Sequence, residues 1–116
     1  MTVERFGVGA RMSRAVAHAN TVYVAGQVAD NPNDDVAGQT RQVLAKVEVA
    51  LAEAGTDKSK LLSATIYLDD ISTFEAMNAV WDAWVTSGST PARATVQAKL
   101  ARPGLKVEIS VIAARD

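Results

Sequence analysis

The sequence contains no cysteine and a single histidine, His18. The first absence removes disulfide scaffolds, thiol nucleophiles and thiolate metal sites. The second removes histidine-cluster metal centres and leaves His18 no companion for a catalytic set, so it reads as a structural residue. No apolar run approaches the roughly 18 residues that a membrane span needs, and the N-terminal MTVERFGVGARMSR carries charges where a secretory signal has an apolar stretch. A cytoplasmic protein with no membrane partner is expected. There is no glycine-rich phosphate loop, dinucleotide fingerprint or internal repeat, which argues against a nucleotide cofactor. Neither charge is in surplus: Lys and Arg number 12 against 13 Asp and Glu, for a formal net charge of -1. A general nucleic-acid binder needs a clear basic excess.

What is present is the composition of an ordinary folded domain, 48% hydrophobic and 22% charged. With 116 residues there is room for one hydrophobic core, so residues 1–116 are expected to form a single domain. The charges are unevenly spread. Between Asp30 and Asp82 there are ten acidic and four basic residues, and the rest of the chain holds three acidic and eight basic. If the flanking segments meet in space, a small anion has somewhere to bind; charge segregation for solubility is the competing reading.

Ala15 to Val28 reads as two strands turning at Asn20, the second of them the β-branched and aromatic Thr21-Val22-Tyr23-Val24. The turn formers Asp30 to Asp35 then end in good helix caps. Val36, Thr40, Val43, Leu44, Val47, Ala50, Leu51 and Ala54 recur at spacings of three and four, and Gly55 stands where a left-handed cap would close a helix from about Asp35 to Ala54. Leu61 to Leu68 reads as a buried strand. Ser72-Thr73-Phe74-Glu75 has the form of a capping box, opening a second helix with the stripe Phe74, Met77, Trp81, Trp84 and Val85. Two strands, Ala92 to Leu100 and Leu105 to Ala114, close the chain around the turn Ala101-Arg102-Pro103-Gly104. The order ββαβαββ predicts an α/β (α+β) fold, a mixed or antiparallel sheet with two helices on one face. A chain this short cannot cover the other face, where alternation places the apolar Ile112 and Ala114, and self-association is the simplest remedy.

Four residues invite chemistry. Arg93 begins a strand that otherwise looks interior, so its guanidinium meets an internal carboxylate or awaits an anionic ligand. Glu108 is the only acid within the last two strands; it is either a partner of Arg93, a solvated edge charge, or a group that orients or deprotonates water. Asn78 interrupts the apolar stripe of the second helix and needs partners, in loop backbone or in a ligand. Gly26 permits close backbone approach. Trp81 and Trp84 read as core or interface residues.

Taken together, Asn20-Thr21-Val22-Tyr23-Val24-Ala25-Gly26-Gln27, Ala76-Met77-Asn78-Ala79-Val80-Trp81, Pro91-Ala92-Arg93-Ala94-Thr95-Val96 and Lys106-Val107-Glu108-Ile109 resemble the reactive intermediate deaminase (Rid) family, also called the YjgF family. The resemblance spans nearly the whole chain. It implies a chorismate-mutase-like ββαβαββ fold and a homotrimer, with sheets packed inward around a central barrel and ligand clefts between subunits. It also implies hydrolysis of small 2-imino acids or enamines to 2-keto acids and ammonia, with no cofactor and no metal. By the same resemblance Arg93 holds the substrate carboxylate, Glu108 is associated with the attacking water, the backbone of Gly26 contacts the ligand, and Asn78 lines the pocket. The chain departs from the best-characterised deaminases at three pocket positions, with Met12 for a tyrosine, Ala25 for a serine and Thr95 for a cysteine. These changes imply a less polar pocket and a divergent subgroup. A non-catalytic trimer that binds small carboxylates is the alternative, and an RNA-cleaving activity is disfavoured by the lone histidine and the near-neutral charge.

Overall fold

The computed structural model describes residues 2–116. Six strands, β1 (Val3–Val8), β2 (Ser13–His18), β3 (Thr21–Val28), β4 (Leu61–Leu68), β5 (Ala92–Gln97) and β6 (Val107–Ala114), form one sheet in the order β1-β2-β3-β6-β4-β5. Two helices, α1 (Val36–Glu53) and α2 (Phe74–Trp84), complete the chain. The sheet is mixed: β4 and β5 are parallel and every other neighbouring pair is antiparallel.

Helix α1 begins where the capping residues place it, with the Asp35 carboxylate accepting from the Gly38 amide at 2.8 Å. It ends in a Schellman closure. Gly55 takes φ +85, its amide donates to Ala52 O, and the Thr56 amide reaches back to Leu51 O. The stripe read from the sequence is the buried one, and Val43, Val47, Ala50 and Leu51 are fully enclosed against β3 and β6. Strand β6 alternates cleanly, with Val107, Ile109, Val111 and Ala113 buried under the helices and Glu108, Ser110, Ile112 and Ala114 on the open face. Tyr23, about half exposed at 48%, pairs with Ile112 on that open face, which no other element among the described residues covers.

Four expectations are corrected. Val3–Val8 is a further strand, paired with β2. Its apolar residues Val3, Phe6 and Val8 do not keep a strict alternation, and Gly7, at φ +60, lies under the Arg14 side chain without shifting the register. The capping box at Ser72 does not form: Asp70 instead caps a 3-10 turn over Ile71–Thr73, and α2 starts at Phe74 with Thr73 making no side-chain cap. The last two strands are not a hairpin. Both edges of β6 are taken by β3 and β4, and the parallel β4-α2-β5 unit leaves β5 on the outer edge of β4. Strand β5 also stops at Gln97, short of Leu100.

The charge segregation of the sequence follows the two layers only in part: six of the ten acids between Asp30 and Asp82, namely Asp30, Asp34, Asp35, Asp57, Asp69 and Asp70, lie in connections, and α1 carries two acids and two bases. The acidic stretch from Asp30 to Asp82 supplies α1, β4 and most of α2, and the more basic remainder supplies the other five strands.

A candidate site in two halves

The parallel β4-α2-β5 unit decides where Arg93 goes. Arg93 pairs with Ala64, a residue buried on the helix side of β4, so its side chain rises toward α2. There the guanidinium carbon lies 5.8 Å from the centroid of the Phe74 ring and 5.2 Å from that of Trp81. Asn78 sits between these two aromatics on the same helical stripe, one turn from each. Thr95, two residues beyond Arg93, shares its face of β5 and pairs with the buried Ile66. Two oxygens in this neighbourhood, Asn78 Oδ1 and Thr95 Oγ1, are buried with no hydrogen-bond partner among the described residues. Buried polar atoms are normally satisfied, and each orphan carries a desolvation cost of about 1–3 kcal/mol until a partner arrives.

Arg93 is itself half-buried, and the ion pairs among the described residues, Arg14 with Glu53, Lys46 with Asp30, Lys60 with Asp116 and Arg115 with Glu4, leave it out. Of the two readings open in the sequence, an internal carboxylate partner is therefore not the one adopted.

Glu108 lies elsewhere. It is flanked by Val107 and Ile109, both buried toward the helices, so it projects from the opposite face of the sheet, between Val28 on β3 and Tyr67 on β4. Beside it β3 bulges between Val24 and Gln27, where the Gln27 amide donates to Ala25 O at 2.9 Å. The carboxylate rests against Gly26, where an added Cβ would come 2.9 Å from the Glu108 carboxylate carbon. Like Arg93, Glu108 is half-buried and outside every ion pair among the described residues. Met12 stands exposed in the connection between β1 and β2.

The seven residues singled out in the sequence thus fall into separate sets. Arg93, Thr95 and Asn78 gather between β5 and α2; Ala25, Gly26 and Glu108 gather at the β3 bulge on the other face; Met12 lies on a loop. Strand β4 stands between the two charged residues, so one protomer cannot bring Arg93 and Glu108 to a single small ligand. Sequence reading missed Phe74 and Trp81 as neighbours of Arg93, although their seven-residue spacing around Asn78 was a usable signal. His18 pairs with Val3 and Thr21 on β2, four strand spacings from β5, or roughly 19 Å. Among the described residues no three His, Asp or Glu side chains gather as a metal site would require, and no helix is long and apolar enough to cross a membrane. A groove of about 610 Å³ between α1 and α2, walled by Leu44, Val80 and Trp84, contains none of the seven.

A family model described as Endoribonuclease L-PSP matches residues 2–115. The RutC family protein YoaB of Escherichia coli K12 is 46% identical over 98% of this chain and 99% of its own. A RutC family protein of Haemophilus influenzae is 44% identical over 97% and 98%. Among solved structures, NMB1025 of Neisseria meningitidis, a member of the YjgF protein family, superposes with a TM-score of 0.97 at 45% identity, covering 100% of this chain and 97% of that one. Rv2704 of Mycobacterium tuberculosis, from the YjgF/YER057c/UK114 family, gives 0.89 at 31%, covering 97% and 99%. Matches of this extent, with the fold they share, place the chain in the L-PSP family of YjgF/Rid proteins.

Proposed function

We propose that the protein hydrolyses small 2-imino acids, or their enamine tautomers, to 2-keto acids and ammonia, in clefts formed between protomers of a homotrimer. One observation carries the reading: Arg93 and Glu108 are half-buried, opposite in charge, without an ion-pair partner among the described residues, and on opposite faces of the sheet. A half-buried charge without a counter-charge is partly desolvated at a cost, so each gains from a partner outside the protomer. When the open sheet face of one copy meets the β5 edge of the next, both needs are met at one cleft.

In that cleft the Arg93 fork holds the substrate carboxylate through parallel charge-assisted hydrogen bonds. Glu108 of the neighbouring protomer takes a proton from water as its oxygen adds to the imine carbon. The same carboxyl returns the proton to nitrogen to give a carbinolamine, then takes the proton of the new hydroxyl and passes it to the same nitrogen. As the C=O bond forms, the C–N bond breaks with its electron pair leaving on nitrogen, and keto acid and ammonia are released. Asn78 Oδ1 and Thr95 Oγ1 are free to bond the substrate, the Gly26 backbone lies beside the reacting centre, and Ala25 and Met12 give the wall an apolar character. That character favours imines with small apolar side chains over polar ones.

A coupled assay tests this. An amino-acid oxidase generates imines from several amino acids, and keto-acid release is followed with and without the protein. Release above the spontaneous rate supports the deaminase. Tight binding of 2-keto acids with no acceleration for any imine supports a non-catalytic carboxylate-binding trimer, the reading that Met12, Ala25 and Thr95 favour by removing the hydroxyls and thiol of the better-known pockets.

A further inference from the structure

We propose that Phe74 and Trp81 are positioning residues, an aromatic seat that fixes the Arg93 guanidinium without occupying its hydrogen-bond donors. The inference rests on the reading of Arg93 as the carboxylate ligand and extends it to the groups that hold it in place. An arginine side chain has many rotamers, and a ligand that must freeze them binds more weakly. A protein commonly fixes such a group with an internal carboxylate, but that partner would compete with the ligand for the same fork. Ring faces hold a cation differently: they attract it electrostatically and have no lone pairs in the plane of its N–H groups. Arg93 has this second arrangement, with its guanidinium carbon 5.2 Å from one ring centroid and 5.8 Å from the other.

The seat is itself anchored. Trp81 is 5% exposed, and its ring centroid lies 5.4 Å from that of Trp84 at a tilt of 48°. The Trp84 indole donates to Glu48 on α1 at 3.0 Å, and the Lys58 ammonium sits 5.1 Å from the Trp84 ring while donating to the Trp84 carbonyl at 2.7 Å. Phe74 occupies the first turn of α2, where the backbone is held by the capped turn before it. The rings are therefore fixed from α1 and from the turn at Lys58, and Arg93 inherits their order.

The test uses Phe74→Leu, Trp81→Leu and the ring-keeping Trp81→Phe in the full-length protein, with 2-oxobutanoate as carboxylate probe and 2-oxobutanamide as its neutral counterpart. In the parent, ring currents should move the Arg93 δ-methylene NMR signals upfield of those of the other arginines. Each leucine variant should return them toward the exposed-arginine position and weaken 2-oxobutanoate binding about 3- to 30-fold, leaving 2-oxobutanamide binding within twofold. Trp81→Phe should recover most of both signals. Should Trp81→Leu fail to fold, Phe74→Leu decides alone, since Phe74 is only half-buried. Leucine variants that stay folded with unchanged Arg93 shifts and unchanged 2-oxobutanoate affinity overturn the seat. Undiminished 2-oxobutanoate binding by Arg93→Ala, with the ring-current shifts of the parent present, instead overturns the carboxylate assignment.

Discussion

Glu108 and Gly26 are fitted to each other: the carboxylate of one fills the space that any side chain at the other would need, with an added Cβ only 2.9 Å from the carboxylate carbon. The glycine is thus required by its neighbour on β6. Because Glu108 is flexible, Gly26→Ala should displace the carboxylate and leave the fold intact. Turnover should fall about tenfold or more, while thermal stability shifts by less than about 1 kcal/mol. Steady-state kinetics beside a melting curve would check both halves of this expectation.

Arg93 and Glu108 should fail differently when altered. In the proposed reaction the arginine pairs with a carboxylate whose charge is constant throughout, whereas the glutamate acts on a water whose charge changes. Arg93→Ala should weaken 2-keto-acid binding about 30-fold or more, through loss of a desolvated charge-assisted pair worth roughly 2–5 kcal/mol. Glu108→Gln should bind nearly as well as the parent and lose about 10²-fold in rate. Calorimetric binding and single-turnover kinetics separate the two. Both side chains are only half-buried, Arg93 resting on the Phe74 and Trp81 rings at the edge of the core and Glu108 on the open face, so the oligomer should survive both changes.

Much of this was legible in the sequence. The α1 stripe, its Asp35 and Gly55 ends, and the alternation of β6 are local patterns, and local patterns are what a sequence displays. Strand β1 was not legible, because Val3, Phe6 and Val8 do not keep a period of two, and Ser72 misled because Asp70, two residues earlier, caps a 3-10 turn that takes Ser72 into its interior. The placement of β5 beyond β4, and with it the separation of Arg93 from Glu108, depends on which strand edges remain free after the rest has paired. That is a property of the whole sheet. The residue types of the site were visible in the chain, but their division between two faces was not.

Gln39 holds the end of the molecule nearest the turn at Pro103. It is fully buried, and its amide donates to Gly104 O at 2.9 Å, Asp34 O at 3.1 Å and Pro32 O at 3.3 Å, while its oxygen accepts from the Lys106 amide at 2.8 Å. Gln39→Leu keeps the volume and strands these backbone groups. It should cost about 2–4 kcal/mol in chemical denaturation, with an unchanged dependence on denaturant.

The Asp57 carboxyl should titrate below the usual aspartate value of 3.8, because the Ser59 hydroxyl and then the Ser59 amide donate to its ionised form, with Lys60 adding a smaller effect in the same direction. A folded-state pKa below the unfolded one contributes stability above the unfolded value, and that contribution is lost as pH falls through the folded value. Carbon-detected NMR titration should show the depression, and Ser59→Ala should raise the pKa toward 3.8. A normal Asp57 pKa in the parent protein would contradict it.

In the proposed arrangement each site takes Arg93 from one protomer and Glu108 from another, and complementation between two inactive variants tests it most directly. Arg93→Ala and Glu108→Gln proteins are unfolded together, refolded as a 1:1 mixture, and assayed for imine hydrolysis, with native mass spectrometry reporting the mixed trimers. A cleft shared between protomers regains one intact Arg93 and Glu108 pair in mixed trimers, so about a quarter of the parent rate should return from two nearly inactive preparations. If mixed trimers form and no activity above that of the separate variants appears, Arg93 and Glu108 do not meet between protomers, and the site proposed here is wrong.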